Sequence, residues 1–344
     1  MYKSKTIAVV VPAYNEEKQI QLVLDHMPDY VDRIVIVNDC STDKTEEVVL
    51  NYIQQSDKHP LPENNQKIKE SVYSQADLIV QKLNEEEINY FPPSKVINSD
   101  EKNNRIILIN NLVNTGVGGA IARGYKWCKD HHIDCTAVMA GDGQMDPSEL
   151  IDIITPVVED EVDYVKGNRL KHPTASLIVP RSRFFGNATL SILTKIASGY
   201  WHISDTQTGF TAISKSALNQ IKIYQIYKRY GMPNDLLVRL NMASCTLKEV
   251  GIKPVYNVGE QSKMRPVRVI PSISWLLFRS FFRRLWVKYL FRDFHPLFLL
   301  YNLSFLLLIS FIPALIYMIP KIIRPGETVS VSVMFISAFL LITG

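Results

Sequence analysis

Apolar residues in the first half of the chain come in short unbroken runs rather than in strict alternation. Thr6–Val11 is β-branched and apolar and stops at Pro12 and a polar turn, and Arg33–Val37, Arg105–Ile109 and Thr136–Met139 repeat the pattern. Between them, Gln19–Met27, Thr45–Ile53 and Ala120–Lys129 read as helices. Strands alternating with helices predict βαβ units and a mostly parallel α/β sheet. Unbroken apolar strands predict that helices cover both faces of that sheet. Ligands of such sheets bind outside the carboxyl ends of the strands, where polar clusters follow each run here.

Residues Gln54–Asn104 interrupt the alternation. The segment is polar, carries Pro60, Pro62, Pro92 and Pro93, and has consecutive glutamates from Glu85. Ile68, Val72, Ile79 and Leu83 fall on one helical face within it, so it reads as a peripheral insertion with one amphipathic helix. The end of the chain differs again. Leu297–Ile319 is 23 residues without a charge, about 35 Å as a helix, enough to span a bilayer. Val329–Thr343 is a second apolar run, a candidate incomplete span. Before them, Ile273–Phe291 mixes Trp275, Phe278, Phe281, Phe282, Trp286 and Tyr289 with Arg279, Arg283, Arg284 and Lys288. Aromatics with cations suit the headgroup region, and Arg284, Lys288 and Arg292 recur at helical spacing. The division expected is a domain over 1–268, an interfacial amphipathic helix over 269–295 and transmembrane helices over 296–344.

Composition agrees. The 344 residues are 47% hydrophobic and 21% charged, and the net charge is +4. Eight basic residues and no acidic one lie between Lys263 and Arg292, which leaves −4 (+4 less +8) for the remainder. The basicity is therefore local, and it points to an anionic membrane surface rather than to nucleic acid. Only Lys321 and Arg324 follow the span, so the positive-inside rule puts the first domain in the cytoplasm. The four cysteines form no CxxC pair, and Cys128 and Cys135 with His131 and His132 between them stand too close for a usual zinc site.

Three strand-end clusters can build one nucleotide site: VVVPAYNEE (Val9–Glu17), VNDCSTDKT (Val37–Thr45) and TAVMAGDGQMDP (Thr136–Pro147). The third ends a buried run in a turn that presents Asp142 and Gln144, oxygen donors of the kind Mg²⁺ takes together with substrate phosphates. The plainer reading is a strand-to-helix turn capped by Asp146 or Ser148. Asp39, at a strand tip, can accept hydrogen bonds from a ribose or a base, or serve as a turn residue. NTGVGGAIARG (Asn114–Gly124) puts glycines before a helix, where amides can face a phosphate or simply turn.

Together these clusters resemble the family-2 glycosyltransferases of the GT-A fold, in particular the dolichyl-phosphate mannose synthase and polyprenyl-phosphate glycosyltransferase branch. Further matches are Gly167-Asn168-Arg169, Arg183 to Asn187 (RFFGN), Asp205 to Phe210 (DTQTGF) and Gly259 to Arg265 (GEQSKMR). The resemblance implies that Pro12, Ala13, Tyr14, Glu16 and Asp39 hold the nucleotide of a UDP- or GDP-linked sugar. It implies that Asp142 and Gln144 bind Mg²⁺ or Mn²⁺ at the diphosphate, and that Lys263 and Arg265 close over it. Arg169, Arg183 and Asn187 would hold the phosphate of a polyprenyl acceptor. The catalytic group would then be Asp142, Arg169 and Arg183, joined by Asp235 where the acceptor is a hydroxyl that needs a base. Asp235 is equally readable as structural. The resemblance implies an inverting enzyme at the cytoplasmic membrane face, open to homo-oligomerisation. One departure stands out: the family commonly has a carboxylate where this chain has Ala140. That leaves two rival readings, a membrane enzyme with a hydroxyl acceptor and a non-catalytic nucleotide-sugar-binding membrane protein.

Overall fold

The computed structural model describes residues 1–56, 59–60, 72–178, 181–255, 266–324 and 328–344. They form two compact units, Met1–Phe281 and Phe282–Gly344.

The first unit is built on eight strands: β1 (Ile7–Ala13), β2 (Arg33–Asn38), β3 (Ser94–Val96), β4 (Ile106–Asn111), β5 (Cys135–Val138), β6 (Tyr164–Asn168), β7 (Thr211–Ser214) and β8 (Leu247–Gly251). They lie side by side in the order β3-β4-β2-β1-β5-β7-β6-β8. The four predicted runs are β1, β2, β4 and β5. They are parallel, with Val10 opposite Val35 on one side and Val138 on the other. The second half of the sheet is mixed, because β7 runs antiparallel to both β5 and β6 while β8 is parallel to β6. The result is an α/β mixed sheet. The reversal brings the carboxyl ends of β1, β2, β4, β5, β6 and β8 and the entry to β7 to one edge.

Helices α1 (Ile20–Asp25), α2 (Thr45–Gln55), α3 (Gln75–Glu86), α4 (Val117–Asp130) and α5 (Leu150–Val158) alternate with the first strands. The second half adds α6 (Ala175–Ile178), α7 (Arg181–Ser198), α8 (Lys215–Gln220), α9 (Met232–Met242) and α10 (Pro266–Arg284). Successive residues of β1 point to opposite faces of the sheet. Ala8 and Val10 join Ile121, Tyr125 and Trp127 in one apolar cluster. Ile7, Val9 and Val11 join Ile20, Val23, Leu150 and Ile153 in the other. Each such side chain buried adds roughly 1.5–3 kcal/mol of transfer free energy, and two-sided burial explains why the strands read as unbroken apolar runs.

The 54–104 segment is less peripheral than its composition suggests. Its end supplies β3, which pairs antiparallel with β4 and extends the sheet. Ile68 lies outside the described residues, and the expected apolar face of α3 is turned outward, with Ile79 60% and Leu83 59% exposed. Polar groups hold the segment instead: Lys129 Nζ bonds Glu87 at 2.9 Å, and Lys126 Nζ bonds the carbonyl of Asn84 at 2.8 Å.

In the second unit, a π-helical stretch (Leu285–Arg292) precedes α11 (Pro296–Ile323), 28 residues that contain an 18-residue stretch of mean hydropathy 2.2. It is the one helix among the described residues long and apolar enough to cross a membrane. The other apolar run forms α12 (Val331–Thr343), 13 residues, about 20 Å and short of a ~30 Å hydrocarbon core. One full span and a second, incomplete one were expected; among the described residues one helix meets the requirement. Arg284 is buried, with its guanidinium 5.6 Å from the Tyr289 ring centroid, so it does not join an exposed cationic face.

Gly124 sets how closely α4 lies on β1, since a Cβ there would stand 2.4 Å from Val10 Cγ1. Gly124→Ala is expected to cost about 1–3 kcal/mol, the usual range for overpacking. The measurement is denaturant unfolding of the detergent-solubilised protein, where an unchanged midpoint would contradict the packing.

Candidate active site

The tips of β1 and β2 are clasped by side chains of the loops that follow them. Asn15, at φ 54°, accepts from the Thr42 amide at 2.8 Å and donates its own amide to Ser41 Oγ at 3.0 Å. The amides of Glu16 and Glu17 donate to Thr45 Oγ1 and Asp43 Oδ2. These bonds place Pro12, Ala13, Tyr14 and Glu16 beside Asn38 and Asp39, since Pro12 pairs with Val37 and Ala13 with Asn38. Tyr14 is exposed.

Asp39 is in the expected place, but its oxygens are engaged within the protein. It is buried, and Oδ1 accepts from Asn111 Nδ2 at 2.8 Å, the Thr115 amide at 2.8 Å and Thr115 Oγ1 at 2.7 Å. Oδ2 accepts from the Gly116 amide at 2.7 Å. A carboxylate offers about four lone-pair sites, so Asp39 serves as the anchor of the turn into α4. The glycines of that turn do not cradle a phosphate: the amides of Gly118 and Gly119 both donate to the carbonyl of Lys228, at 2.9 and 3.2 Å. Gly118 is needed because a Cβ would stand 2.1 Å from the carbonyl oxygen of Tyr227.

Asp235 belongs to the same support. It is buried in the first turn of α9, its Oδ2 accepts from the Tyr227 amide at 2.9 Å, and Arg239 Nε bonds it at 2.7 Å. Arg239 in turn donates to the carbonyl of Gln225. Of its two readings, the structural one fits this geometry: Asp235 fixes the segment whose Lys228 carbonyl closes the start of α4.

The Asp142 turn lies against the tip of β1. The Gly141 amide donates to the Pro12 carbonyl at 3.3 Å, the Gln144 amide to Asp142 Oδ1 at 3.1 Å, and Gly143 takes φ 74°. Asp146 does cap, accepting from the Ser148 amide at 2.9 Å, as the plain reading of this stretch expects. Ala140 contributes no ligand, and no group of three or more His, Cys, Asp or Glu suited to a metal occurs among the described residues. One carboxylate and one amide oxygen fit a hard cation that takes its other ligands from a diphosphate and water.

The other half of the edge carries Arg169. Its guanidinium forks onto Asp205, with Nε to Oδ2 at 2.8 Å and Nη2 to Oδ1 at 3.1 Å, and its amide also donates to Oδ2 at 3.2 Å. Burial would raise the Asp205 carboxyl, but the Arg169 hydrogen bond and the charges of Arg169 and Lys166 hold it below the usual range. Lys166, wholly buried in β6, donates to the Thr208 carbonyl at 2.6 Å. Burial pushes its ammonium down to about 8 against the pull of Asp205 and Glu249. The loop that Asp205 opens is tied to α7 and α9: Gln207 Nε2 donates to Asn234 Oδ1 at 2.9 Å, as does Thr194 Oγ1 at 3.1 Å. Arg183 and Asn187 fall on α7, but their side chains lie outside the described residues, as do Lys263 and Arg265 altogether. One face of α7 and α10 is shared, with Leu190, Ala197, Ile273 and Leu277 in contact. Their other faces expose Ile192, Ile196, Trp275 and Phe278.

The Glycosyl transferase family 2 model matches residues 8–67 and 94–222, a span that takes in the whole arrangement except β8, α9 and the helices after them. The chain belongs to glycosyltransferase family 2. It is 30% identical over 285 residues to a UDP-N-acetylglucosamine–dolichyl-phosphate N-acetylglucosaminyltransferase of Methanococcus voltae, covering 83% of this chain and 96% of that protein. It is 26% identical to a dolichyl-phosphate beta-glucosyltransferase of Trichomonas vaginalis, over 81% of this chain and 74% of that one. Among solved structures, glucosyl-3-phosphoglycerate synthase from Mycobacterium tuberculosis, crystallised with Mn²⁺, UDP and phosphoglyceric acid, matches at TM-score 0.48 and 16% identity, covering 82% and 78% of the two chains. This glycosyltransferase is thus an enzyme, and the non-catalytic reading falls away. Residues 68–93, which separate the two matched stretches of the family 2 enzyme, narrow the insertion to α3 and its flanks.

Reading the sequence left Lys166, Glu249 and Asn234 of this glycosyltransferase without a role. The one local signal was a lysine inside an apolar strand, Tyr164-Val165-Lys166. Two outcomes follow from the division of labour among carboxylates. Asp39→Ala is expected to lower stability by about 1–3 kcal/mol for each buried donor it orphans, with a fall in melting temperature alongside any loss of donor binding. Asp142→Ala is expected to abolish transfer, read as product formed by protein that is still folded. The second outcome concerns pH. The unfolded chain binds the Lys166 proton up to the ordinary lysine range while the folded protein releases it from about 8. Stability therefore gains from this group as pH rises above 8, until tyrosines begin to ionise near pH 10. Melting temperatures across that window are expected to lose this gain in Lys166→Met.

Proposed function

We propose that this glycosyltransferase moves a single sugar, with inversion, from a UDP-linked donor to a polyprenyl phosphate at the cytoplasmic face of a membrane. An oxygen of the lipid phosphate forms the new bond to the anomeric carbon as the bond from that carbon to the donor diphosphate breaks, and the nucleoside diphosphate leaves with the electron pair. A phosphate monoester is already an anion, so no residue has to remove a proton from it. The arrangement at the acceptor end supports this reading: the Arg169 guanidinium, forked onto Asp205, is a planar cation suited to a phosphate. The hydroxyl alternative needs a base, and Asp235 is buried in its pair with Arg239.

At the donor end, Pro12, Ala13, Tyr14 and Glu16 would line the nucleotide, and Asp39 would shape that wall by holding the Thr115–Gly116 turn. Asp142 and Gln144 would hold Mg²⁺ or Mn²⁺ with the diphosphate, whose departing charge the metal neutralises when bound. Lys263, Arg265 and Arg183 complete the proposed charge complement, with Asn187 as a neutral donor to the acceptor phosphate. The names of the relatives favour UDP over GDP, since the Methanococcus voltae protein is named for UDP-N-acetylglucosamine and dolichyl phosphate. The exposed aromatics of α10 and the span α11 support a membrane-surface site.

The test is purified protein in detergent with UDP-N-acetylglucosamine, UDP-glucose or GDP-mannose, dolichyl or undecaprenyl phosphate, and Mg²⁺ or Mn²⁺. A lipid-linked sugar is expected from a UDP donor, with loss of product in EDTA. Asp235→Asn is expected to lower stability while leaving the chemical step within about tenfold of wild type, since no base is required. Transfer only to a hydroxyl acceptor, or none to any lipid phosphate, would overturn the reading.

A further inference from the structure

The acceptor end contains more buried charge than the reaction uses. Lys166, Asp205 and Glu249 are nearly inaccessible, and Arg169 is 24% exposed. Two cations and two carboxylates balance. Glu249 stands on β8, outside the part of the chain matched by the family model and 80 residues beyond Arg169 in sequence. Its Oε1 accepts from the amides of Ser204 at 2.7 Å and Asp205 at 3.1 Å. Its Oε2 accepts from Asn168 Nδ2 at 2.8 Å, with Lys171 Nζ at 3.6 Å. One carboxylate thus grips both segments that meet at the Arg169–Asp205 fork: the residue before Arg169, and the backbone on which the Asp205 carboxylate is mounted. Asn168 is itself fully committed, because its Oδ1 accepts from the Leu170 amide at 2.8 Å and shapes the turn that carries Arg169.

We infer that Glu249 is a positioning residue for the acceptor phosphate: by holding Asn168 and the Ser204–Asp205 backbone it fixes the angle at which Asp205 presents the Arg169 guanidinium. The inference rests on the proposed role of Arg169. Buried ion clusters seldom stabilise more than well-packed apolar residues of the same volume. What this one supplies is direction, a fork whose two hydrogen bonds set the plane of the cation. Glu249 lies one layer behind that fork and touches no reacting atom.

Glu249→Gln isolates the effect, because it keeps volume and an oxygen for the Ser204 and Asp205 amides but turns an NH₂ toward the Asn168 NH₂. The mismatch is expected to raise KM for polyprenyl phosphate about tenfold, the loss of roughly one charge-assisted hydrogen bond. The unpaired donors are expected to lower the melting temperature, while KM for the UDP-sugar should stay near wild type. Adding Asn168→Asp to Glu249→Gln restores a donor facing an acceptor at the same net charge, and the double variant is expected to recover the lipid KM. A merely structural clamp would move both KM values together. An unchanged lipid KM in Glu249→Gln, or no recovery in the double variant, overturns the inference while wild-type transfer still stands. A wild type that makes no lipid-linked sugar overturns the reading of the site, and this inference with it.

Discussion

Strands buried on both faces leave polar groups only one place to go, the strand ends. In the β4-β2-β1-β5 half of the sheet, side chains alternate between two apolar clusters, and nearly every residue is inaccessible. Where each strand stops, its loop and the next helix arrive with unpaired backbone donors, which cost about 1–3 kcal/mol apiece if buried without a partner. The chain answers with carboxylates. Asp39 takes the donors at the mouth of α4, Asp43 those around Glu17 and Thr45, and Asp235 the Tyr227 amide. The functional edge is therefore first a solution to a hydrogen-bonding problem.

Asp39 and Asp235 stand where a ribose contact and a general base were conceivable, and the oxygens of both accept from backbone and side chains of the scaffold. Asp142 Oδ1 accepts from the Gln144 amide two residues on, a bond that turns the chain locally. With Ala140 beside it, the turn offers a sparse set of oxygens, which matches a cation that rides in with a diphosphate better than one held permanently.

The fold was legible where it depends on periodicity and obscure where it depends on charge. β1, β2, β4 and β5 lie within a residue or two of their apolar runs, because nothing but burial defines them. β6 and β8 gave no such run: Lys166 and Asn168 interrupt one, and Lys248 and Glu249 the other. The side chains of Lys166, Asn168 and Glu249 are buried only because partners arrive from 42 to 81 positions away. The Asp142 turn was legible because it is local. The duty of Asp39 was not, since its acceptors' partners sit 72 to 77 residues downstream. The short motifs around Arg169 and Asp205 were visible individually. That they form one fork required the antiparallel reversal at β7, which no spacing announces.

That reversal also separates the site into halves with different physics. The donor half hangs on neutral backbone amides gathered by single carboxylates, an arrangement that shapes a wall without projecting net charge far from it. The acceptor half is built from two cations against two anions in a dry interior, where Coulomb forces are weakly screened and small displacements are costly. A nucleotide needs a shaped wall. A phosphate on a flexible lipid, the acceptor proposed above, brings few contacts besides its charge, so the proposed reaction asks the enzyme to hold the receiving cation still. A surface arginine with free rotamers would lose side-chain entropy on each binding event. Arg169 has already been ordered by Asp205, and that cost was met when the protein folded.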